Sequence, residues 1–382
     1  MAKLYPLFVA SSSFFLSYYV RLSWTILSVY MPFRPTVSEE GIAFAIFFIG
    51  YVIVQIPSGF VSDRFSGGMV IALSLIGLAA SSIMSALSPD ILWEYISSLI
   101  MGFTAGWIYP ASINVMNHYY RDRRSIYVGY YSIAWPLAIV VSGFALPSLA
   151  MAVGWRWGYY SSAIASLIVA FMALRLKTDK TGYRIDLSLI RNRNVILLSL
   201  GGLIFFLSYW SLTLYAYKDF VSIGIDPVIA GLIFSSMAIS GLFSTFFSGF
   251  LISRIGTKNA VVISLICYGL LILAFSFVRS DLLLIIISLV MGFFRFIITP
   301  GNSGLAIDIG RERAGSVSGI ANMFWQSSGI IGPVISAIMI VGIGFRNLWT
   351  VLAFIVFLSS LIYYFIDPSF HATAHHADIT EK

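Results

Sequence analysis

Met101-Gly102-Phe103 followed by Pro110, and Met291-Gly292-Phe293 followed by Pro300, are one pattern written twice, 190 residues apart. The same offset pairs much of the chain without gaps. Phe15 and Tyr19 meet Phe205 and Tyr209, and Gly41 and Phe44 meet Gly231 and Phe234. Ser58-Gly59-Phe60 meets Ser248-Gly249-Phe250, Arg64 meets Arg254, and Ser74-Leu75-Ile76 meets Ser264-Leu265-Ile266. Arg121-Asp122-Arg123 meets Arg311-Glu312-Arg313, and Gly129, Trp135 and Arg156 meet Gly319, Trp325 and Arg346. Apolar matches arise by chance in a greasy chain. Matches of Gly, Pro, Trp and Arg at one constant offset rarely do.

Composition says where this repeat lives. Of 382 residues, 59% are hydrophobic and only 10% are charged, against about 25% in a soluble domain. Too few charges remain to cover a water-facing surface. In a bilayer every backbone polar group must be paired internally, so only helices or closed barrels span it. The apolar runs are long and lack the period-2 alternation of barrel strands, which selects helices of about 20 residues. Twelve spans are predicted, roughly 6–30, 40–62, 69–87, 91–118, 125–149, 154–176, 195–217, 227–252, 259–278, 281–307, 314–342 and 345–366. The first run is too long for a signal-peptide core and reads as a retained helix.

The repeat carries span 1 onto span 7. Six spans, an even number, separate them, so the copies run in the same direction, related by an axis along the membrane normal. The domain reading is a six-helix bundle over 1–176, a polar basic linker over 177–194, a second six-helix bundle over 195–366 and a tail over 367–382. With the N-terminus in the cytoplasm, cytoplasmic segments hold 16 of the 23 Lys and Arg. That bias predicts both termini inside the cell membrane. It also accounts for the net charge of +7 without nucleic acid. A lone cysteine, Cys267, permits no disulfide within the chain. No nucleophile elbow, phosphate loop, zinc spacing or paired polar carboxylates are found, so no enzyme activity, cofactor or metal is expected.

Between spans 2 and 3 stands Gly59-Phe60-Val61-Ser62-Asp63-Arg64-Phe65-Ser66-Gly67-Gly68. It resembles the signature loop of the major facilitator superfamily, and Gly249 through Arg254 to Gly256 and Lys258 resembles its degenerate second copy. The resemblance covers the whole chain and implies the major facilitator fold: all-α, twelve transmembrane helices in two parallel-repeat six-helix bundles. It implies a gating role for Gly59, Asp63, Arg64 and Arg254, with Asp63 latching the inner side against the dipole of helix 11; the alternative is that Asp63 and Arg64 only cap helix 2 and set topology. Within the superfamily the chain is most similar to the anion:cation symporter group, through Tyr18-Tyr19-Val20-Arg21, Gln55-Ile56-Pro57-Ser58-Gly59, Gly102 to Tyr109-Pro110 and Gly154-Trp155-Arg156-Trp157. It departs where that group has acids, at Val20 and Ala105, and where it has a second arginine, at Asn114.

Two basic residues fall near the bilayer centre, Arg21 in span 1 and Arg295 in span 10. A central charge costs at least ~2.5–3.5 kcal/mol and should face a cavity or a partner. No acid lies at that depth in any span, so an anion from solution is the expected counter-ion, gripped bidentately by guanidinium. The resemblance places helices 1, 4, 7 and 10 around the central cavity. Those helices supply Tyr19, Trp107, Tyr209, Asn114 and Asn302 as expected pocket residues beside the arginines. The expected function is alternating-access transport of a small organic anion by a monomer whose other partners are membrane lipids. The alternatives are an exporter of hydrophobic drugs and a lipid-handling protein of the same fold. An arginine bonded to helix carbonyls is the purely structural alternative for either guanidinium.

Overall fold

The computed structural model describes residues 4–55, 57, 65–121, 124–178 and 187–367, and these are almost wholly helical. In the first half, α1 is Tyr5–Leu27, α2 Val37–Ile53 and α3 Gly67–Ala86. Helix α4, Ile91–Tyr119, breaks at Gly106 and Trp107. Helix α5 runs as Arg124–Ser132 and then Ala134–Ala152, and α6 is Arg156–Ala173. In the second half, α7 is Arg193–Ser222, α8 Pro227–Ile255, α9 Thr257–Phe275 and α10 Asp281–Gly310. One helical stretch, Ala314–Tyr364, turns at Gly344 into two spans, α11 before it and α12 after it. Among the described residues, eight stretches are long and apolar enough to cross a membrane.

The repeat sets the ends of these helices. Thr36 closes a capping box with Glu39 at the start of α2. Its counterpart, Asp226, accepts from the amides of Val228 and Ile229 at the start of α8. Either side chain answers amides the helix leaves unpaired. Gly154 precedes α6 at φ 101° and Gly344 precedes α12 at φ 78°. Both sit at one position of the repeat, in a conformation that side chains with a Cβ rarely adopt.

Packing repeats as well. In the first half α2 packs on α4 and α3 on α6; in the second α8 packs on α10 and α9 on α12. Across the halves α2 packs on α11 and α8 on α5. These crossings are pseudo-symmetric down to single residues. A Cβ on Gly41 of α2 would lie 2.9 Å from the Pro333 carbonyl oxygen of α11. One on Gly231 of α8 would collide with the Gly143 carbonyl oxygen of α5. Missing side chains let the helix backbones approach closely, the usual solution where no hydrophobic drive separates helix from lipid.

Candidate functional site

Arg21 lies on α1 and is 2% exposed. Its guanidinium carbon sits 4.6 Å from the Tyr18 ring centre, one turn back on α1. It lies 4.9 Å from each of Phe47, Phe48 and Tyr51, which form one face of α2. The box is closed from the opposite half by Trp210 of α7, at 5.0 Å. None of the three guanidinium nitrogens has a hydrogen-bond acceptor in good geometry among the described residues.

Arg295 lies on α10 and is also 2% exposed. Tyr209 of α7 covers it at 4.0 Å, with Phe205 at 5.0 Å and Phe206 at 5.3 Å. Here too one ring crosses from the opposite half, Trp135 of α5, at 4.8 Å. One nitrogen donates to Thr299 Oγ1 at 2.9 Å, and Nε and Nη2 have no partner among the described residues. Among the described residues, no carboxylate pairs with either arginine.

The two boxes form one system. From Arg21 to Trp210, on to Tyr209 and on to Arg295 the steps are 5.0, 4.9 and 4.0 Å, which bounds how far apart the guanidinium groups lie. Trp210 Nε1 and Trp135 Nε1 are themselves unpartnered among the described residues. The interface is therefore rich in buried donors: two guanidinium groups and two indoles. Cation–π contact of this kind is worth about 0.5–2 kcal/mol, and a charge-assisted bidentate pair is stronger. A small void of about 20 Å³ touches Arg295 and Tyr209, and one of about 10 Å³ touches Arg21. Each has room for about one water, so the centre is closed around the arginines in this conformation.

The expected pocket residues divide. Arg21, Arg295 and Tyr209 come together. Asn114 is buried with neither amide atom bonded among the described residues. Tyr19 stacks on Phe15 and points its hydroxyl at Ser161 of α6, 3.3 Å away, outside both boxes. Trp107 stands at the α4 break with its ring edge-on to Phe103. Asn302 accepts from the Tyr363 hydroxyl of α12 at 2.8 Å, leaving its amide nitrogen unpartnered among the described residues. Gln55 donates to the Gly106 carbonyl at 3.3 Å. Of the expected gating residues, Gly59, Asp63 and Arg64 lie outside the described residues. Arg254 is exposed near the end of α8, 4.4 Å over Phe250.

Sequence reasoning did not single out Trp135 or Trp210 as site residues. It also missed the seal beyond the arginines, toward the helix ends remote from the termini. There Lys218 of α7 meets Glu40 of α2 at 2.7 Å, with Glu40 2% exposed. Tyr30 and Tyr217 share a hydroxyl bond of 2.8 Å, and the Tyr215 hydroxyl donates to the Val37 carbonyl at 3.1 Å. Glu40, the first residue of predicted span 2, was not singled out. The available signal was Lys218, which directly follows predicted span 7 on the side where span 2 begins with Glu40.

A paired six-helix scaffold whose halves meet over two buried arginines boxed by aromatic rings is the architecture of a membrane transporter. The Major Facilitator Superfamily profile matches residues 7–218 and 198–378, and the chain belongs to that superfamily. It is 22% identical over 312 residues to the agnestins efflux protein AgnL12 of Paecilomyces divaricatus, covering 80% of this chain and 72% of that one. It is 23% identical over 369 residues to the multidrug resistance protein MdtG of Escherichia coli (strain SMS-3-5 / SECEC), covering 89% and 90%. The fold is shared with the nucleoside transporter NupG, at TM-score 0.79 and 15% identity, over 95% of this chain and 98% of that one. A bacterial homologue of the human lysosomal transporter Spinster, inward-facing and unoccupied, superimposes at TM-score 0.79 and 14% identity, over 96% and 97%.

Proposed function

We propose that this transporter carries a small organic anion with an apolar body, by alternating access across a cell membrane, with both termini in the cytoplasm. The observation that carries the reading is the pair of buried guanidinium groups, one from each half, boxed by aromatic rings and unpaired with any described carboxylate. A buried cation without a counter-ion is costly, and an anion from solution removes that penalty. The likeness to the anion:cation symporter group fits the same chemistry. In this reading an anion displaces the cross-half indoles from the guanidinium groups. Binding energy thereby acts on the contact between the halves, which is what shifts a conformational equilibrium. With Glu40–Lys218 closing the outer end, the conformation described here is closed to the outside.

A second reading, export of hydrophobic compounds, is favoured by the names of the two relatives, an efflux protein and a multidrug resistance protein. The cage rings suit either cargo; the arginines suit only an anionic one.

A thermal-shift screen of the purified protein against mono- and dicarboxylates, sugar acids and phosphate esters tests the proposal, since a ligand that binds the folded state raises its melting temperature. Specific anions are expected to do so. Arg21→Ala and Arg295→Ala should each weaken binding at least ~10-fold, the loss of a charged hydrogen bond worth about 1.5–3 kcal/mol. Hits confined to cations or neutral compounds, or anion hits indifferent to both substitutions, would leave the exporter reading standing instead.

A further inference from the structure

One further buried ionisable group, Glu94, belongs to no part of the mechanism above. Glu94, in the first turn of α4, is 1% exposed. Its Oε1 accepts from Ser85 Oγ of α3 at 3.0 Å. Ser85 Oγ lies 2.9 Å from Ser97 Oγ, which donates to the Glu94 carbonyl at 3.0 Å. Ser88, itself 2% exposed, lies beside the carboxylate, yet among the described residues neither its Oγ nor the other carboxylate oxygen, Oε2, makes a hydrogen bond in good geometry. Among the described residues no cation pairs with this carboxylate. Arg156, at the start of α6, gives its Nε to the Ala86 carbonyl at 3.0 Å and lays its guanidinium over Trp155. Glu39 and Glu40 open the neighbouring α2, but Glu39 caps that helix and Glu40 is held by Lys218. Asp90 caps α4 itself, and from α6 the uncharged Tyr159 turns a buried, unpartnered hydroxyl that feels the Glu94 charge.

The repeat supplies an internal control. The counterparts of Glu94, Ser85, Ser88, Ser97 and Tyr159 are Leu284, Phe275, Val278, Ile287 and Trp349. The second half fills the equivalent positions with apolar side chains, Leu284 at 2% and Phe275 at 1% exposure, and holds its own buried carboxylate from a different helix, Asp219 of α7 accepting from Trp349 Nε1 at 2.7 Å. The fold therefore does not require a carboxylate at the position of Glu94 or hydroxyls at those of Ser85, Ser88 and Ser97.

We infer that Glu94, with Ser85, Ser88 and Ser97, forms a binding site for a small monovalent cation, sodium in chemical class. The donor set is all oxygen, which suits a hard cation rather than a transition metal. One carboxylate balances one charge, which disfavours calcium or magnesium. The unpartnered Oε2 and Ser88 Oγ are the ligands that an ion would engage. The site is independent of the anion reading, and either can fail without the other.

The test is thermal unfolding of the full purified chain in sodium, potassium or choline chloride, at constant pH and ionic strength. A saturable rise in melting temperature specific to sodium is expected. It should vanish in Glu94→Gln and in Glu94→Leu, the latter being the second half's own solution. Ser88→Ala should raise the half-saturating sodium concentration several-fold and serves as the readout if the Glu94 variants fold poorly. Equal responses to the three salts would overturn the inference, as would a sodium effect that survives Glu94→Leu. Stabilisation that follows pH and ignores sodium would also overturn it, because the carboxyl would then hold a proton.

Discussion

The two halves of this transporter share a scaffold and divide its charges. Gly41 and Gly231, Thr36 and Asp226, Gly154 and Gly344 occupy matching positions and do matching things: close crossing, capping and turning. The arginines do not match. Arg21 on α1 corresponds to Ser211 on α7, and Arg295 on α10 corresponds to Ala105 on α4. Each half thus places its cation on a different helix of the same plan. Each is then covered by an indole from the other half, Trp210 over Arg21 and Trp135 over Arg295. Symmetry persists where backbones touch and breaks where a ligand would be held.

The strongest way to break that comparison is to ask whether the shared positions weigh equally. A Cβ on Gly102 would run into the Phe47 carbonyl oxygen, and one on its counterpart Gly292 into that of Met237. Backbone cannot step aside as a side-chain tip can. Gly102→Ala and Gly292→Ala are each expected to destabilise the protein by about 1–3 kcal/mol, the usual range for overpacking, read as similar falls in melting temperature. A large fall in one half and none in the other would show that the scaffold is less symmetric than its residues suggest.

This division also explains what was legible in the sequence. Helices, their parallel repeat and the close-packing glycines followed from composition and the 190-residue offset, because burial in lipid and backbone contact constrain residue type directly. That Arg21 and Arg295 would sit inside the helix bundles was legible for the same reason. Side-chain direction was not. Tyr19 and Tyr209 are repeat partners at one depth. Yet Tyr209 covers Arg295 at 4.0 Å, whereas Tyr19 turns to Ser161, since the counterpart of Arg295 is Ala105 and offers nothing to cover. Cross-half partners such as Trp135 and Lys218 depend on how two bundles meet, which no within-half periodicity encodes.

The seal at the end remote from the termini is itself asymmetric between the halves. Glu40 is 2% exposed and Lys218 21%. Removing the lysine strands a carboxylate that water does not reach. Removing the acid's charge leaves a lysine with some access to water and the Pro35 carbonyl at 3.4 Å. Lys218→Met should therefore destabilise the closed arrangement by about 1–2 kcal/mol, less than a fully buried broken pair because Lys218 is partly exposed, and Glu40→Gln by somewhat less, about 1 kcal/mol. Spin-label distances between Arg34 and Gly224, at the rims of the two halves, should lengthen more in the first variant than in the second. The reverse order would mean that Lys218, not Glu40, is the group the fold protects.

The smallest expected effect probes the crossed indoles themselves. Trp210→Phe keeps a ring near Arg21 but removes the larger π face and the unpartnered Nε1; Trp135→Phe does the same near Arg295. A cation–π contact weakened rather than lost shifts the balance between conformations by about 0.5–1 kcal/mol, a two- to fivefold change in their ratio by ~1.4 kcal/mol per tenfold. Because the indoles bridge the halves, both variants should lengthen the Arg34–Gly224 distance distribution in ligand-free protein. Phe48→Leu, which removes a ring from Arg21 within its own half, should leave that distribution nearly unchanged. If all three variants behave alike, the cage only shelters the arginines. If only the indole variants move the rim, the contact between the halves runs through them.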